Sequence, residues 1–307
     1  MKTFLKKIPL SFLVLMLSSA PVTLVAQSSS NYKAIYGEDN RKKITELDAQ
    51  VEKEEKIIHF SKAVMAQVPQ WRVSVDNKEE IQVSTYDLRK GLNLCESERF
   101  IDEPYVSTCS AFLVAPDLIL TAGHCIKNKY DCKKNYWVLD YDDNQGFRVE
   151  GSMTFSKEKV YSCKELISWS NNSRLDYALI KLDKEVSDRE PLKLRKSGTV
   201  ETKEELAVIG HPLGLPKIVS DNTFVMDNSL TYVFKTDADA FSGNSGSPVI
   251  SLKSGLVEGM LIRGEEDFTL DLDLNCRRSN VCAGFGCRGE SVLRSVFFPI
   301  KHISKTK

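Results

Sequence analysis

The sequence predicts an all-β protein of the sandwich or barrel class, preceded by one helical segment. From residue 69 onward, short runs of aliphatic, aromatic and β-branched residues are separated by turn residues, which is typical of many short strands. No internal repeat is visible. The 307 residues provide enough chain for a substantial core in one or two domains.

Ten segments carry the strand signal after Pro69. They are residues 71–75, 81–83, 112–114, 118–120, 136–139, 177–180, 206–209, 231–234, 249–250 and 257–262. Each is two to six residues long and rich in residues that favour a pleated, half-buried surface. Residues 291–303 are expected to end in a short C-terminal helix.

Residues 41–68 are predicted to form the N-terminal helix. Apolar residues recur there at roughly helical spacing among Lys and Glu, and Pro69 is expected to end the helix. Two interpretations stand: a structural helix on the domain surface, which is favoured, and a removable pro-segment.

The first 26 residues have the pattern of a secretory signal peptide. Three lysines at positions 2, 6 and 7 precede an apolar run over residues 8–17, and Ala26-Gln27 is a plausible cleavage point, with Ala20 as a second candidate. A membrane anchor is the alternative, but the apolar run is shorter than the roughly 20 residues that a spanning helix needs. We therefore expect a secreted or periplasmic protein without a membrane span once the signal is removed.

Charge gives no reason to expect nucleic acid or an anionic membrane as the main partner. Lys and Arg total 42, and Asp and Glu total 42, so the formal net charge is zero.

The eight cysteines are predicted to form disulfides, because an exported chain meets an oxidising compartment. Cys132 and Cys163 are expected to pair. Zinc is the competing interpretation for the three cysteines nearest the C-terminus, although their spacing lacks a CxxC pair. These three are Cys276, Cys282 and Cys287.

Three segments carry residues suited to nucleophilic catalysis. They read TAGHC at 121–125, DYALIKL at 176–182 and GNSGSPV at 243–249. A serine hydroxyl needs an adjacent base, histidine has a suitable pKa, and the imidazole needs a buried carboxylate to hold its tautomer. These requirements indicate Ser245 as nucleophile, His124 as general base and Asp176 as the residue that orients the base.

The backbone around the serine also suits this chemistry. Glycines on both sides leave room for a substrate and permit a sharp turn. The N–H groups of Gly243 and Ser245 are the expected donors to an oxyanion. No cofactor or metal is needed for such a mechanism.

Taken together in the order His, Asp, Ser, the three blocks resemble the signatures of the trypsin-like serine peptidases. GNSGSPV, and IYGEDNR at residues 35–41, are similar to the bacterial branch that includes the V8-type glutamyl endopeptidases. The resemblance implies two six-stranded antiparallel β-barrels with the catalytic residues between them, and a secreted endopeptidase acting on proteins or peptides. It divides the chain into a signal peptide (1–26), an N-terminal segment (27–68) and a peptidase domain (69–307).

The resemblance also implies pairings and specificity. In this family a disulfide closes the loop that carries the histidine, which implies a Cys109–Cys125 bond. Cys95 would then pair with one of the three C-terminal cysteines, and the remaining two with each other. The floor of the family's primary pocket lies six positions before the nucleophile, at Asp239 here, which implies cleavage after Arg or Lys.

The sequence departs from the family pattern at two places. Asn244 precedes the nucleophile where the animal enzymes have Asp, so their activating ion pair is not expected. On the strand lining the substrate cleft, Ile262 stands where the family often has a serine, and the histidine of glutamate-specific relatives is missing. Arg263 on this strand could neutralise Asp239. Glutamyl-type specificity, an esterase, and a catalytically silent binding protein on the same fold are the alternatives.

Overall fold

The computed structural model describes residues 34–142, 148–149, 151–282 and 287–303. The predicted signal peptide, and with it the expected cleavage point, lies outside the described residues.

The described part of the chain is built mainly of β-strands. In chain order they are β1 Ile35–Tyr36, β2 Lys42–Lys43, β3 Val64–Pro69, β4 Val73–Asp76, β5 Glu80–Ser84, β6 Tyr86–Asp87, β7 Pro104–Tyr105, β8 Cys109–Ala115, β9 Leu118–Thr121, β10 Asn135–Val138, β11 Arg148–Val149, β12 Ser152–Ser156, β13 Val160–Asn171, β14 Asp176–Leu182, β15 Glu205–Gly210, β16 Ile218–Asp227, β17 Val233–Thr236, β18 Pro248–Ser251, β19 Val257–Arg263, β20 Phe268–Asp271, β21 Cys276–Ser279, β22 Val281–Cys282 and β23 Glu290–Arg294. The helices are α1 Glu52–Ser61, α2 Leu88–Leu92, α3 Lys129–Cys132 and α4 Ile300–Ile303.

Two closed six-stranded antiparallel barrels form the body of the molecule, as predicted. The first has the strand order β10-β13-β14-β9-β8-β3. The second has the order β15-β18-β19-β23-β17-β16 and closes through pairing of β15 with β16, while β2 adds to its β16 edge. Closure leaves no free edge within either barrel.

One apolar cluster joins the two barrels. It runs from Phe112 and Leu120 of the first barrel to Ile209, Ile250 and Met260 of the second, all of them buried. Burial of this apolar surface stabilises the junction by about 25 cal/mol for each Å2 removed from water. The two barrels are therefore fixed against each other, and residues brought to their junction hold defined positions.

The N-terminal helix is shorter than predicted. Helix α1 covers Glu52–Ser61, whereas residues 64–69 form β3 of the first barrel. All six residues of β3 are buried, so both faces of the strand are covered and exposed polar residues do not alternate with buried apolar ones. Val64 and Val68 therefore fitted a helical period by chance, and Pro69 ends a strand instead of a helix. The short C-terminal helix is confirmed as α4.

Four disulfides tie the described loops together. The bonds predicted between Cys109 and Cys125 and between Cys132 and Cys163 are confirmed. The third joins Cys95 to Cys276, and the fourth joins Cys282 to Cys287. The zinc interpretation of the C-terminal cysteines is wrong, because all three sulfurs are bonded to other cysteines.

Candidate active site

The first barrel supplies His124, which lies on a turn of 3-10 helix directly after β9. The turn is held from two sides. Cys125 is bonded to Cys109 of β8, and the indole Nε1 of Trp169 donates a hydrogen bond of 2.8 Å to the carbonyl of Gly123. The His124 side chain itself is 36% exposed, so its free edge is accessible.

Asp176 is the first residue of β14, and its side chain is only 2% exposed. Its Oδ1 accepts a hydrogen bond from the His124 backbone N–H at 2.9 Å, and its Oδ2 lies 2.9 Å from His124 Nδ1. An ionised carboxylate can only accept, so Nδ1 carries the proton that is donated to it. The second ring nitrogen, Nε2, is then left as a proton acceptor.

The second barrel supplies Ser245, which lies in the loop between β17 and β18. Its carbonyl accepts a hydrogen bond of 2.8 Å from the Ser110 N–H in β8, and the Cys125 sulfur lies 3.8 Å from that carbonyl. The structure thus brings the Ser245 backbone close to the turn that carries His124, and the roles of the three residues as a triad stay a prediction.

The serine loop can fold this way only because of its two glycines. Gly243 and Gly246 have φ angles of 97° and 91°, a region that residues with a Cβ rarely adopt. Space is also limiting, since a Cβ on Gly246 would lie 2.0 Å from the Ser110 carbonyl. Either residue replaced by alanine would force the loop to shift.

The N–H groups of this loop alternate between bonded and free. Asn244 N–H donates to the Phe241 carbonyl at 3.0 Å, and Gly246 N–H donates to the Leu261 carbonyl at 2.8 Å. Within the part of the chain that the structure describes, the N–H groups of Gly243 and Ser245 have no hydrogen-bond acceptor. The two donors that the sequence predicts for an oxyanion are the two that remain available.

Ser110 is a residue of the site that sequence reasoning missed. Besides its N–H bond to Ser245, its hydroxyl donates to the Gly243 carbonyl at 2.9 Å and accepts from the His211 N–H at 2.9 Å. It is fully buried. Its position next to Cys109, at the start of the strand before the histidine block, was the available signal.

His211 supports the serine loop as an uncharged residue. Its ring is fully buried and stacks on Tyr141, with 5.3 Å between the ring centroids. Its Nδ1 lies 3.0 Å from the Leu215 carbonyl. Burial, together with the nearby Lys217 cation, lowers the pKa of His211 to about 3. Its carbonyl lies 2.5 Å from where a Cβ of Gly243 would be, so this turn forms the back of the serine loop.

The structure gives Asp239 partners from the N-terminal segment. Its two carboxylate oxygens accept hydrogen bonds from the N–H groups of Tyr36, at 2.7 Å, and Asn40, at 2.8 Å. The residue is 1% exposed, and burial raises its pKa to about 6. Its role as pocket floor stays a prediction. Arg263, which the sequence offered as a neutralising partner, instead reaches the carbonyl of Asn172 at 3.5 Å.

No metal site accompanies these residues within the described chain. The one group of metal-type ligands found there comprises Cys109, His124 and Cys125, and its two sulfurs are bonded to each other. A thiolate is therefore not available at this place.

None of the described helices is long and apolar enough to cross a membrane.

Comparison of the sequence with known protein families finds one matching domain family. Residues 109–260 match the family model of the trypsin-like peptidase domain, and this range contains all three candidate triad residues. No curated protein matches the chain.

Solved structures similar to this chain are proteases of low sequence identity. A Glu endopeptidase structure has 15% identity and a TM-score of 0.48, covering 88% of this chain and 98% of the other. A serine endoprotease from Yersinia pestis has 14% identity and a TM-score of 0.47, covering 82% and 65%. A protease from M. tuberculosis has 13% identity and a TM-score of 0.44, covering 92% and 90%.

Proposed function

The chain is a serine endopeptidase of the trypsin-like, chymotrypsin-fold kind, and from that premise we propose that it cleaves peptide bonds through an acyl-enzyme formed on Ser245. In this proposal His124 is the general base and Asp176 orients it. The Ser245 hydroxyl attacks the scissile carbonyl while Nε2 of His124 takes its proton. The same nitrogen then protonates the leaving amine, and water hydrolyses the ester by the reverse sequence of proton transfers.

The N–H groups of Gly243 and Ser245 form the oxyanion hole in this mechanism. The negative charge of the tetrahedral intermediate develops on the former carbonyl oxygen. Loss of one such donor typically costs roughly 10²–10³ in kcat. Because both donors are free in the described chain, no hydrogen bond has to break before they act.

One observation carries the proposal. The buried Asp176 holds His124 through both a side-chain and a backbone hydrogen bond, which leaves Nε2 of the imidazole as the proton acceptor. A binding protein on the same fold would have no need for a carboxylate buried against a half-exposed imidazole, since burial of a charge is costly.

The test is labelling with a fluorophosphonate, an electrophile that reacts with an activated serine hydroxyl and displaces fluoride. We expect the purified protein to be labelled at Ser245 and to cleave peptides, and we expect Ser245→Ala to lose both activities. Ser187→Ala, which changes an exposed serine, is the matched control and should behave like the wild type. Absence of labelling in the wild type would instead support the silent binding protein.

Specificity for Arg or Lys at the cleaved position is part of the proposal. It is based on Asp239, the position of the pocket floor in the resembled family, whose carboxylate here accepts hydrogen bonds from the N–H groups of Tyr36 and Asn40. Glutamyl-type specificity and esterase activity are the competing outcomes of a comparison of matched Arg, Lys, Glu and Phe substrates and simple esters.

We also propose export of the protein and retention of residues 34–68 in the mature enzyme. The N–H groups of Ala34 and Ile35 both donate to the Asn280 carbonyl, at 3.0 and 2.9 Å, and β3 is a strand of the first barrel. Removal of the whole segment would open that barrel. Mass spectrometry of the secreted protein tests this, and a mature N-terminus beyond residue 69 would contradict it.

A further inference from the structure

The N-terminal segment is bonded to the residues that lead into the serine loop. The Ala240 N–H donates a hydrogen bond of 3.2 Å to the Ala34 carbonyl, and the Asp239 carboxylate accepts two N–H groups of the same segment, as described above. Phe241, the next residue, is buried with Ala34 and Ile35 in one small apolar cluster. Three consecutive residues at the entrance of the serine loop are therefore fixed by a part of the chain about 200 residues earlier.

Arg41 is the charged residue of this contact. It is 3% exposed, and its guanidinium lies over the ring of Phe241, 4.2 Å from the ring centroid, and over the ring of Phe100, 5.2 Å from the centroid. Its Nε and Nη2 donate to the two carboxylate oxygens of Asp39 at 2.9 and 2.7 Å. A guanidinium with a bidentate carboxylate partner keeps one orientation, so the face that it presents to Phe241 is fixed.

Phe241 connects this contact to the expected oxyanion donors. Its carbonyl accepts the Asn244 N–H at 3.0 Å, and the next carbonyl, that of Ser242, accepts the Leu213 N–H at 2.5 Å. The Ser242 carbonyl and the Gly243 N–H belong to the same planar, trans peptide unit, so they point in opposite directions. A fixed Ser242 carbonyl therefore sets the direction of the Gly243 N–H.

Asn244 carries no charge that an ion pair could use to fix the loop. It is 4% exposed, and its side-chain Oδ1 accepts a hydrogen bond of 3.3 Å from the Ser247 hydroxyl. Residues 239–241 are held instead by backbone groups of the N-terminal segment and by the Arg41 side chain. None of these groups is a chain terminus, so the contact does not need a free amino group.

We propose that Arg41 is a positioning residue for the oxyanion hole. By stacking on Phe241 it holds the entrance of the serine loop, so that the Gly243 N–H stays directed at the place where the oxyanion forms. This inference rests on the proposed function of Ser245 and adds to it how the donors are kept in position. Arg41 contacts no substrate in this scheme, so its loss should slow turnover and leave substrate binding unchanged.

The first experiment compares Arg41→Met with the wild type on one peptide substrate. Methionine keeps an unbranched apolar chain but removes the guanidinium, and Asp39 retains Arg99 as a cationic partner at 3.1 Å. We expect kcat per folded molecule to fall roughly 10- to 30-fold, as for loss of a desolvated cation–aromatic contact, with little change in KM. The folded fraction is measured by near-UV circular dichroism. A kcat equal to that of the wild type would overturn the proposal.

Arg72→Met is the matched control. Arg72 is also buried, 8% exposed, and its guanidinium lies 4.7 Å from the ring centroid of Tyr86 and 5.1 Å from that of Tyr105, so the same substitution removes a similar contact from rings outside the serine loop. We expect this variant to lose stability and to keep the kcat of the wild type per folded molecule. If both variants lose the same factor in kcat, the effect is not specific to Phe241 and the proposal is wrong.

A peptide aldehyde provides a readout that a purely structural role would not move. The Ser245 hydroxyl oxygen bonds to the aldehyde carbon, its proton passes to His124, and the former carbonyl oxygen takes the position of the oxyanion. We expect Arg41→Met to weaken inhibition by the aldehyde by the same factor as kcat/KM. The affinity of an uncleaved peptide for Ser245→Ala should be the same with and without Arg41→Met. Equal inhibition of Arg41→Met and wild type would show that Arg41 does not position the donors.

Phe241→Leu tests whether Arg41 acts through the ring on which it stacks. Leucine keeps an apolar side chain and removes the ring, so this variant should also lower kcat, and it keeps the proposal testable if Arg41→Met folds poorly. The double variant should lose no more kcat than the worse of the two single variants, because both remove the same contact. Additive losses, or a Phe241→Leu variant with the kcat of the wild type, would contradict the proposal.

Fluorophosphonate labelling of the wild type separates this proposal from the proposed function. An unlabelled wild type that cleaves no peptide means that the peptidase mechanism itself has failed. A labelled, active wild type whose kcat is unaffected by Arg41→Met means that only the role of Arg41 is wrong.

Discussion

Asp176 and His124 are joined by two hydrogen bonds of 2.9 Å, one to the imidazole Nδ1 and one to the backbone N–H of the same residue. The side-chain bond fixes the tautomer, and the backbone bond fixes the turn. The carboxylate therefore sets both the protonation pattern and the position of the ring.

Asp176→Asn separates these two contributions. The amide can still accept one hydrogen bond, but its NH2 group presents a donor where Nδ1–H needs an acceptor, so the wrong tautomer is favoured. We expect kcat to fall by roughly 10³–10⁴ with little change in KM. Steady-state kinetics measure this, with Asp273→Asn, at an exposed carboxylate, as the matched control. A kcat within a few fold of wild type would argue against Asp176 as the orienting residue.

Ser110→Ala removes a hydroxyl that bridges His211 N–H and the Gly243 carbonyl. Because both of these groups are left without a partner in the interior, we expect a loss of about 1–3 kcal/mol in the free energy of unfolding. Without the hydrogen bond from Ser110, the Gly243 peptide should also move and displace the oxyanion donors. We expect kcat to fall about tenfold, which is less than the loss of one donor would cost.

Denaturant titration and steady-state kinetics are the measurements for Ser110→Ala. A purely structural role would lower stability and leave kcat per folded molecule unchanged, and this result would remove Ser110 from the site. Ser187→Ala serves again as control.

His211 makes stability depend on acid. Its pKa is about 6.5 in an unfolded chain and is lowered to about 3 in the fold by burial and by Lys217. As pH falls below 6.5, the imidazole is protonated in the unfolded chain but not in the folded protein. The contribution of His211 to stability is therefore complete above pH 6.5 and is lost as pH falls towards 3. The loss from this residue reaches about 5 kcal/mol at most.

His211→Asn keeps a donor for the Leu215 carbonyl and removes this titration. It loses the contact with Tyr141, so it should be less stable than wild type at pH 7. The difference between the two proteins should shrink as pH is lowered from 6.5 towards 3. Unfolding by denaturant at several pH values measures the difference, and a constant difference across this range would contradict a neutral, buried His211.

Asp239 has the opposite pH dependence. Burial raises its pKa from 3.8 to about 6, an effect that Asp39 increases and Arg41 opposes. Because the folded protein binds this proton more tightly than the unfolded chain, protonation of Asp239 stabilises the fold. The contribution is complete below pH 3.8 and is lost as pH rises to 6, with about 3 kcal/mol as the upper limit.

Asp239→Asn should therefore be least stable relative to wild type at low pH. The difference in the free energy of unfolding should shrink in favour of the variant as pH rises from 3.8 to 6. The difference should be constant above that range. Unfolding measurements of both proteins test this. A difference that is flat from pH 3.8 to 6 would show that Asp239 does not titrate in this window and is less deeply buried than its contacts indicate.

The chemistry of the site could be predicted from the sequence because it depends on residue types in local context. A histidine after TAG, an aspartate that opens an apolar strand and a serine between two glycines are each local patterns. Their order along the chain restricts the fold in which they can meet. The Cys109–Cys125 bond is instead predicted from the family resemblance, in which such a pair closes the loop that carries the histidine.

The tertiary structure decided what depends on which strands become neighbours. Residues 64–69 fitted a helical period, but closure of the first barrel buries both faces of that segment and makes it a strand. Asp239 matched the family's pocket position, but its partners are backbone N–H groups about 200 residues earlier in the chain. Arg41 belongs to a block that resembles the bacterial branch of the family, but only the long-range contacts of the N-terminal segment bring its guanidinium over the ring of Phe241. Local sequence specifies which groups can react, whereas long-range contacts determine which residues hold them in place.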